Sequence, residues 1–161
     1  NQNEFKQDFI FCVGLTEIFK ELTKGYEPEK HLHLLFDSLC KSTSFEAKEI
    51  KEISKKSQEE FNNKSSKEIL KLLQEKSISQ LYPSRILNLG IYKIISQSND
   101  FKGENDSESN KMIADIFEKL NLSTNKAEKD IGIYKSSVTK MKQAKELIEE
   151  LRVKDKKKDQ K

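Results

Sequence analysis

From Ala127 to Leu151 the apolar residues fall at Ala127, Ile131, Tyr134, Val138, Met141, Ala144, Ile148 and Leu151. The steps between them are four, three, four, three, three, four and three residues. That is the period of one helix face and close to a heptad seam, with one shortened step at Ala144. No proline interrupts the stretch, and Gly132 is its only glycine. Helical from Asn125 to Lys154, it would extend ~45 Å at 1.5 Å per residue. A fold containing such a helix must either cover its stripe with the rest of the chain or leave it for a partner. Periodicity alone leaves both readings open.

The remainder reads as helix as well. Helix one is expected over Asn3–Lys24, with Gly25 as its C-cap, where a positive φ costs little. Tyr26-Glu27-Pro28 makes the corner, and Pro28 opens helix two, which runs to Lys41 with Leu32, Leu35, Phe36, Leu39 and Cys40 inward. Ser44 is the expected N-cap of helix three, Phe45–Phe61. Ser65 with Glu68 has the spacing of a capping box and starts a short helix through Gln74. Tyr82-Pro83-Ser84 is a break. Ser84–Gln97 then forms the most apolar helix, placed at the centre of the bundle. Residues 99–108 read as a loop, Asn110–Leu120 as another amphipathic helix, and Ser123 with Thr124 as the cap of the final one. No strand alternation and no fixed-period repeat stands out.

The chain of 161 residues fits one domain and can bury a real core. Hydrophobic residues make up 34% and charged residues 35%, lean for a globular protein. Their periodicity still favours narrow-striped helices over disorder. The net charge of +3 is unevenly placed: residues 140–161 carry nine Lys or Arg against five Asp or Glu. That leaves the body with 21 basic and 22 acidic groups. A nucleic-acid-binding domain usually carries a basic face on its body, so the basic tail reads first as a solvated helix end. It also allows peripheral, reversible contact with an anionic membrane surface, although one such signal is no stable anchor. Cys12 and Cys40 lie on apolar helix faces and read as reduced core thiols, pointing to a reducing compartment. The longest apolar run, Phe9–Leu15, is far short of the ~20 residues of a membrane span. A chain starting at Asn1 and entering a helix at once is expected to be a fragment or a trimmed protein.

No pattern for catalysis emerges. His31 and His33 are two residues apart, which turns them to different faces of a helix, so no metal site is expected. No phosphate-cradling glycine loop and no histidine-paired nucleophile is present. The adjacent pairs Glu59-Glu60 and Glu149-Glu150 lie on faces expected to be exposed, where nothing would raise a carboxylate pKa. Arg85 is one of two arginines among 30 basic residues and begins the most apolar helix. It reads as a structural ion pair or as a partner-binding clamp. Gly14 and Gly90 sit inside apolar helix patterns at about 1 kcal/mol each relative to Ala. Both read as packing sites where their two helices meet.

At these residues a family resemblance appears. Val13-Gly14-Leu15 through Phe19, Gly25-Tyr26-Glu27-Pro28-Glu29, and Phe36 with Cys40 resemble the thylakoid formation family of photosystem II biogenesis proteins. So does Ser84-Arg85-Ile86-Leu87-Asn88-Leu89-Gly90-Ile91-Tyr92. The longest match is Leu120-Asn121-Leu122-Ser123, Lys126, Lys129-Asp130-Ile131, Tyr134-Lys135-Ser136, Lys140-Met141 and Gln143-Ala144. The family's Tyr directly precedes its Ser-Arg pair, whereas Pro83 follows Tyr82 here. The family also carries a further N-terminal helical segment.

The resemblance implies a non-catalytic accessory protein of cyanobacteria or plastids without cofactors. It would act in thylakoid organisation and photosystem II assembly and repair with the FtsH membrane protease. Its expected place is the cytoplasmic or stromal side of the thylakoid membrane, soluble or peripheral. The expected fold is an all-α single-domain bundle of six to seven helices with a long, partly coiled-coil-like C-terminal helix. Residues 1–122 are the bundle, 123–153 the long helix, packed or protruding, and 154–161 a basic, disordered tail. Arg85, Tyr134 and Met141 are the interaction candidates, and Gly25, Tyr26, Pro28 and Gly90 the structural motif positions. The alternative function is a nucleic-acid-binding helical module using the basic tail.

Overall fold

The computed structural model describes residues 8–78 and 83–158, with side chains through Lys154. Residues 3–7 of the expected first helix, Tyr82 at the expected break and residues 159–161 of the tail lie outside the described residues. Among the described residues seven α-helices follow one another: α1 (Phe9–Thr23), α2 (Leu32–Ser42), α3 (Ala47–Phe61), α4 (Ser66–Glu75), α5 (Arg85–Ile95), α6 (Ser107–Lys119) and α7 (Thr124–Lys158). A 3₁₀ turn over Glu29–His31 leads into α2. No strand occurs among the described residues.

α5 is the axis of the molecule. Every residue from Leu87 to Tyr92 is buried, with Ile94 and Ile95. A helix buried on all sides needs neighbours around it, and α1 is the nearest. The two backbones touch at Gly14 and Gly90. A Cβ on Gly14 would stand 2.4 Å from the Ile86 carbonyl oxygen, and one on Gly90 2.2 Å from that of Ile10. Both distances lie inside van der Waals contact, so only glycine fits at either side of the crossing. Close approach here offsets the helix propensity that the two glycines give up.

Around this crossing the core divides in two. The larger part joins α5 to Ile10 and Val13 of α1, to α4 and α6, and to Ala127, Ile131 and Tyr134 of α7. The smaller part lies between α1, α2 and α3 and contains Phe11, Cys12, Phe36, Cys40 and Ile50. Phe19 and Phe36 meet edge to face there, with ring centroids 4.9 Å apart. Cys12 and Cys40 are both free and buried. Burial, with the negative charges of Asp8 and Glu49 adding to it, pushes the Cys12 thiol up to about 12, which keeps it protonated near neutrality.

Several boundaries differ from the sequence-based expectation, each for a local reason. Pro28 does not open α2: its backbone is extended, and it caps the 3₁₀ turn that precedes the helix. Ser44 does not start α3 but finishes α2. It sits at φ 60°, with Phe45 N–H donating to the Cys40 carbonyl and Ser44 N–H to that of Lys41. That is the Schellman arrangement, made here without glycine. α3 begins instead at Ala47. α6 starts three residues earlier than its apolar pattern suggests, because Asp106 accepts the Ser109 N–H at 2.8 Å and caps it. The capping box of α4, by contrast, forms at Ser65 and Glu68 as the sequence reads. α7 runs on through Lys158, beyond the last apolar residue.

The glycine crossing yields a direct prediction. Gly90→Ala should destabilise the protein by about 1–3 kcal/mol, the usual range for overpacking, despite alanine's better helix propensity. Urea denaturation followed by circular dichroism measures this, and an unchanged or raised midpoint would mean that the backbones do not meet there.

Candidate interaction surface

The joint between α5 and α7 is built from one buried carboxylate. Ser84 caps α5 by accepting the Leu87 N–H at 3.1 Å, which puts Arg85 in the first turn and Asn88 one turn later on the same side. On α7, Asp130 falls between Ala127 and Tyr134 at helical spacing, so it faces the body with them. It is 5% exposed. It accepts from Arg85 Nε–H at 3.2 Å and from Asn88 Nδ2–H at 2.9 Å. A carboxylate removed from water costs heavily unless charge and hydrogen bonds compensate, and both are supplied here. Arg85 thus holds an intramolecular ion pair, with its side chain still 61% exposed.

One turn further along α7, Tyr134 is 6% exposed and meets Tyr92 of α5 edge to face, centroids 6.4 Å apart. The Tyr92 hydroxyl donates to Glu104 Oε1 at 2.7 Å. The Lys93 ammonium lies 4.9 Å from the Tyr134 ring centre. Burial pushes the Tyr134 hydroxyl upward, so it is neutral at physiological pH. Tyr134 therefore holds the root of α7 from inside and presents no open face.

Beyond Tyr134 the helix draws away from the body. Val138 packs partly against the core, and Met141 is 39% exposed. Lys145 reaches the corner after α1: a Cβ on Gly25 would lie 3.4 Å from its Nζ. Gly25 itself sits at φ 76° and ends α1. From Glu146 to Lys154 every residue is exposed, including Leu147, Ile148 and Leu151. The stripe is thus core over its first half and open surface over its second.

At the same corner, the cis peptide Glu27-Pro28 and half-exposed Tyr26 border a groove of about 610 Å³. Phe19, Leu32, His33 and Phe36 are among the residues that line it. His31 and His33 are both exposed. Among the described residues no group of three His, Cys, Asp or Glu is placed to hold a metal ion. No described helix is long and apolar enough to cross a membrane.

The family model described as Thylakoid formation protein matches residues 1–161. The chain belongs to the thylakoid formation protein family. That family is one of thylakoid formation and photosystem II biogenesis. Protein Thf1 of Prochlorococcus marinus strain MIT 9312 is 78% identical over 158 residues, covering 98% of this chain and 79% of that relative. Protein Thf1 of Prochlorococcus marinus subsp. pastoris (strain CCMP1986 / NIES-2087 / MED4) is 65% identical, covering 100% of this chain and 80% of its own. The solved structure of Psb29 superposes with a TM-score of 0.81 at 22% identity, covering 98% of this chain and 80% of that one. At that identity it shows a shared fold.

Two of the motifs that carry the resemblance turn out to be one structure. Arg85 and Asn88 of the Ser-Arg helix bind Asp130 of the Lys-Asp-Ile segment, 45 and 42 residues away. Sequence reasoning singled out Arg85 and missed Asp130 and Asn88. The available signal was an Asp on the inward line of an otherwise apolar stripe.

Asp130→Ala should cost about 1–3 kcal/mol, the range for losing hydrogen bonds to a charged group, because Asn88 is left buried without its partner. Arg85→Ala should cost less, since Asp130 keeps its Asn88 hydrogen bond and removal of the 61% exposed Arg85 side chain opens the other carboxylate oxygen to water. Paired urea titrations check the order. An Arg85 variant that is the weaker of the two would place the joint's energy in the ion pair instead.

Proposed function

We propose that the protein is a non-catalytic docking factor in thylakoid biogenesis and photosystem II assembly and repair, working with the FtsH membrane protease. Family membership supports the process. The observation that carries the docking part is the second half of α7. A helix rooted in the core by Asp130 and Tyr134 holds Met141, Leu147, Ile148 and Leu151 out in solvent. Contiguous exposed apolar surface on a folded protein marks a site of interaction.

In this reading Met141 and the exposed part of Arg85 are contacts at the base of the helix, while Tyr134 keeps the helix at its angle. The proposed location is the cytoplasmic or stromal side of the thylakoid membrane, soluble or peripheral. Isolation of the tagged, full-length protein from thylakoids should enrich FtsH subunits over an untagged control. Deleting residues 146–161 should abolish that enrichment and leave the bundle's thermal transition nearly unchanged. Equal recovery from tagged and untagged cells would overturn the docking reading.

A further inference from the structure

The apolar stripe of α7 changes direction. At 3.6 residues per turn, Lys145 and Arg152 continue the line of Ala127, Ile131, Tyr134 and Val138, while Ala144, Leu147 and Leu151 lie roughly 100–160° around the helix and Ile148 about 60°. The contact of Lys145 with the Gly25 corner confirms which side faces the body. The cause is the shortened step from Met141 to Ala144, a three-residue offset of the heptad register. The outer stripe is therefore not a continuation of the core seam that has lost its cover. It is a second seam that swings off the first at Met141: Ile148 stays on the line of Asp130, and Ala144, Leu147 and Leu151 turn away from the body.

This second seam is narrow and in register. Met141, Ala144, Ile148 and Leu151 occupy successive a, d, a and d positions, and Asp155 takes the next a position and ends it. Leu147, Ile148 and Leu151 are 58%, 50% and 52% exposed. The positions that flank the seam are Lys140, Lys145, Leu147, Arg152 and Lys154. The four charged ones are all basic. Glu146, Glu149 and Glu150 lie away from it, and Glu149 pairs with Arg152 at 3.8 Å across an exposed turn, which leaves the basic rim essentially intact.

Flanking charges decide which helix can pair with such a seam. Two copies of this helix side by side in parallel would bring Lys140 against Lys145 of the other. In antiparallel pairing Lys145 would oppose Arg152, and Lys140 would oppose Lys154. Both self-pairings set like charges together.

We infer that the outer part of α7 is half of a heterotypic coiled coil, made to pair with an amphipathic helix of another protein that carries Glu or Asp beside its own seam. The inference deepens the docking reading and rests on it, by assigning the surface and the chemistry of the partner.

A synthetic three-heptad peptide with Leu at a and d and Glu at e and g is the probe, and its counterpart with Lys at e and g is the control. Each is titrated by fluorescence anisotropy with the full-length protein. The Glu-flanked peptide should bind and the Lys-flanked one should not, with at least a tenfold loss of affinity in high salt. Ile148→Asn should remove binding with an unchanged circular dichroism spectrum. The triple variant Lys140→Glu, Arg152→Glu, Lys154→Glu should transfer the preference to the Lys-flanked peptide.

Failure to bind the Glu-flanked peptide, equal binding of both, or full binding by Ile148→Asn would overturn the inference. So would self-association in sedimentation that Ile148→Asn abolishes, or capture by anionic phosphatidylglycerol vesicles with no capture by the peptide. Because the titration uses purified protein, failure to enrich FtsH in the thylakoid isolation overturns the docking reading on that protease and leaves the peptide measurement standing. Loss of peptide binding with FtsH retained sinks only this surface.

Discussion

The backbone contact between α1 and α5 at Gly14 and Gly90 is the constraint on which the rest of the arrangement hangs. It brings the two most buried helices close enough that neither position accepts a methyl group. With α5 fixed against α1, its remaining sides are presented to α4, α6 and α7, and the main core closes around them. The smaller core then fills the opposite side of α1 with Phe36, Cys40 and Ile50. The cost of two glycines in helix interiors is local, and the gain is the position of every neighbour.

The direction of α7 follows from α5. Asp130 is held by two side chains one turn apart on α5, and the Tyr92–Tyr134 contact adds a second point further along. Two fixed points on a helix set its axis. A buried carboxylate suits this role, because displacing it strands Asn88 as well as its own charge, whereas apolar contacts tolerate sliding. From Glu146 to Lys154 about 14 Å of helix at 1.5 Å per residue stands exposed, without support from the body. Stability and function thereby separate along one element, with the root serving the fold and the outer part available to a partner.

Much of this was legible in the sequence. The helical period, the capping box at Ser65 and Glu68, the left-handed Gly25 and the meeting of Gly14 with Gly90 are local or paired signals that one strand of text carries. Ser44 was misread because its residue type favours a helix start, while the contacts that place it at the end of α2 run backwards to Cys40 and Lys41. Pro28 was misread because the same fixed φ suits a helix opening and the approach to a 3₁₀ turn. Asp130 was missed because its partners lie more than forty residues away, and periodicity counts apolar residues only. Whether the long stripe was core or surface stayed open for a related reason. Spacing shows that a stripe exists, whereas its phase against the body depends on where Lys145 meets Gly25.

The central claim is that α7 is core up to Val138 and an exposed helix beyond Lys145. Hydrogen exchange of the full-length protein, read by mass spectrometry along α7, tests it most directly. Amides in residues 127–138 should exchange only with global unfolding, and those in residues 146–154 should exchange by orders of magnitude faster through local fraying. Equal protection through Leu151 would contradict the account, because it would mean that the outer stripe is covered by the same molecule.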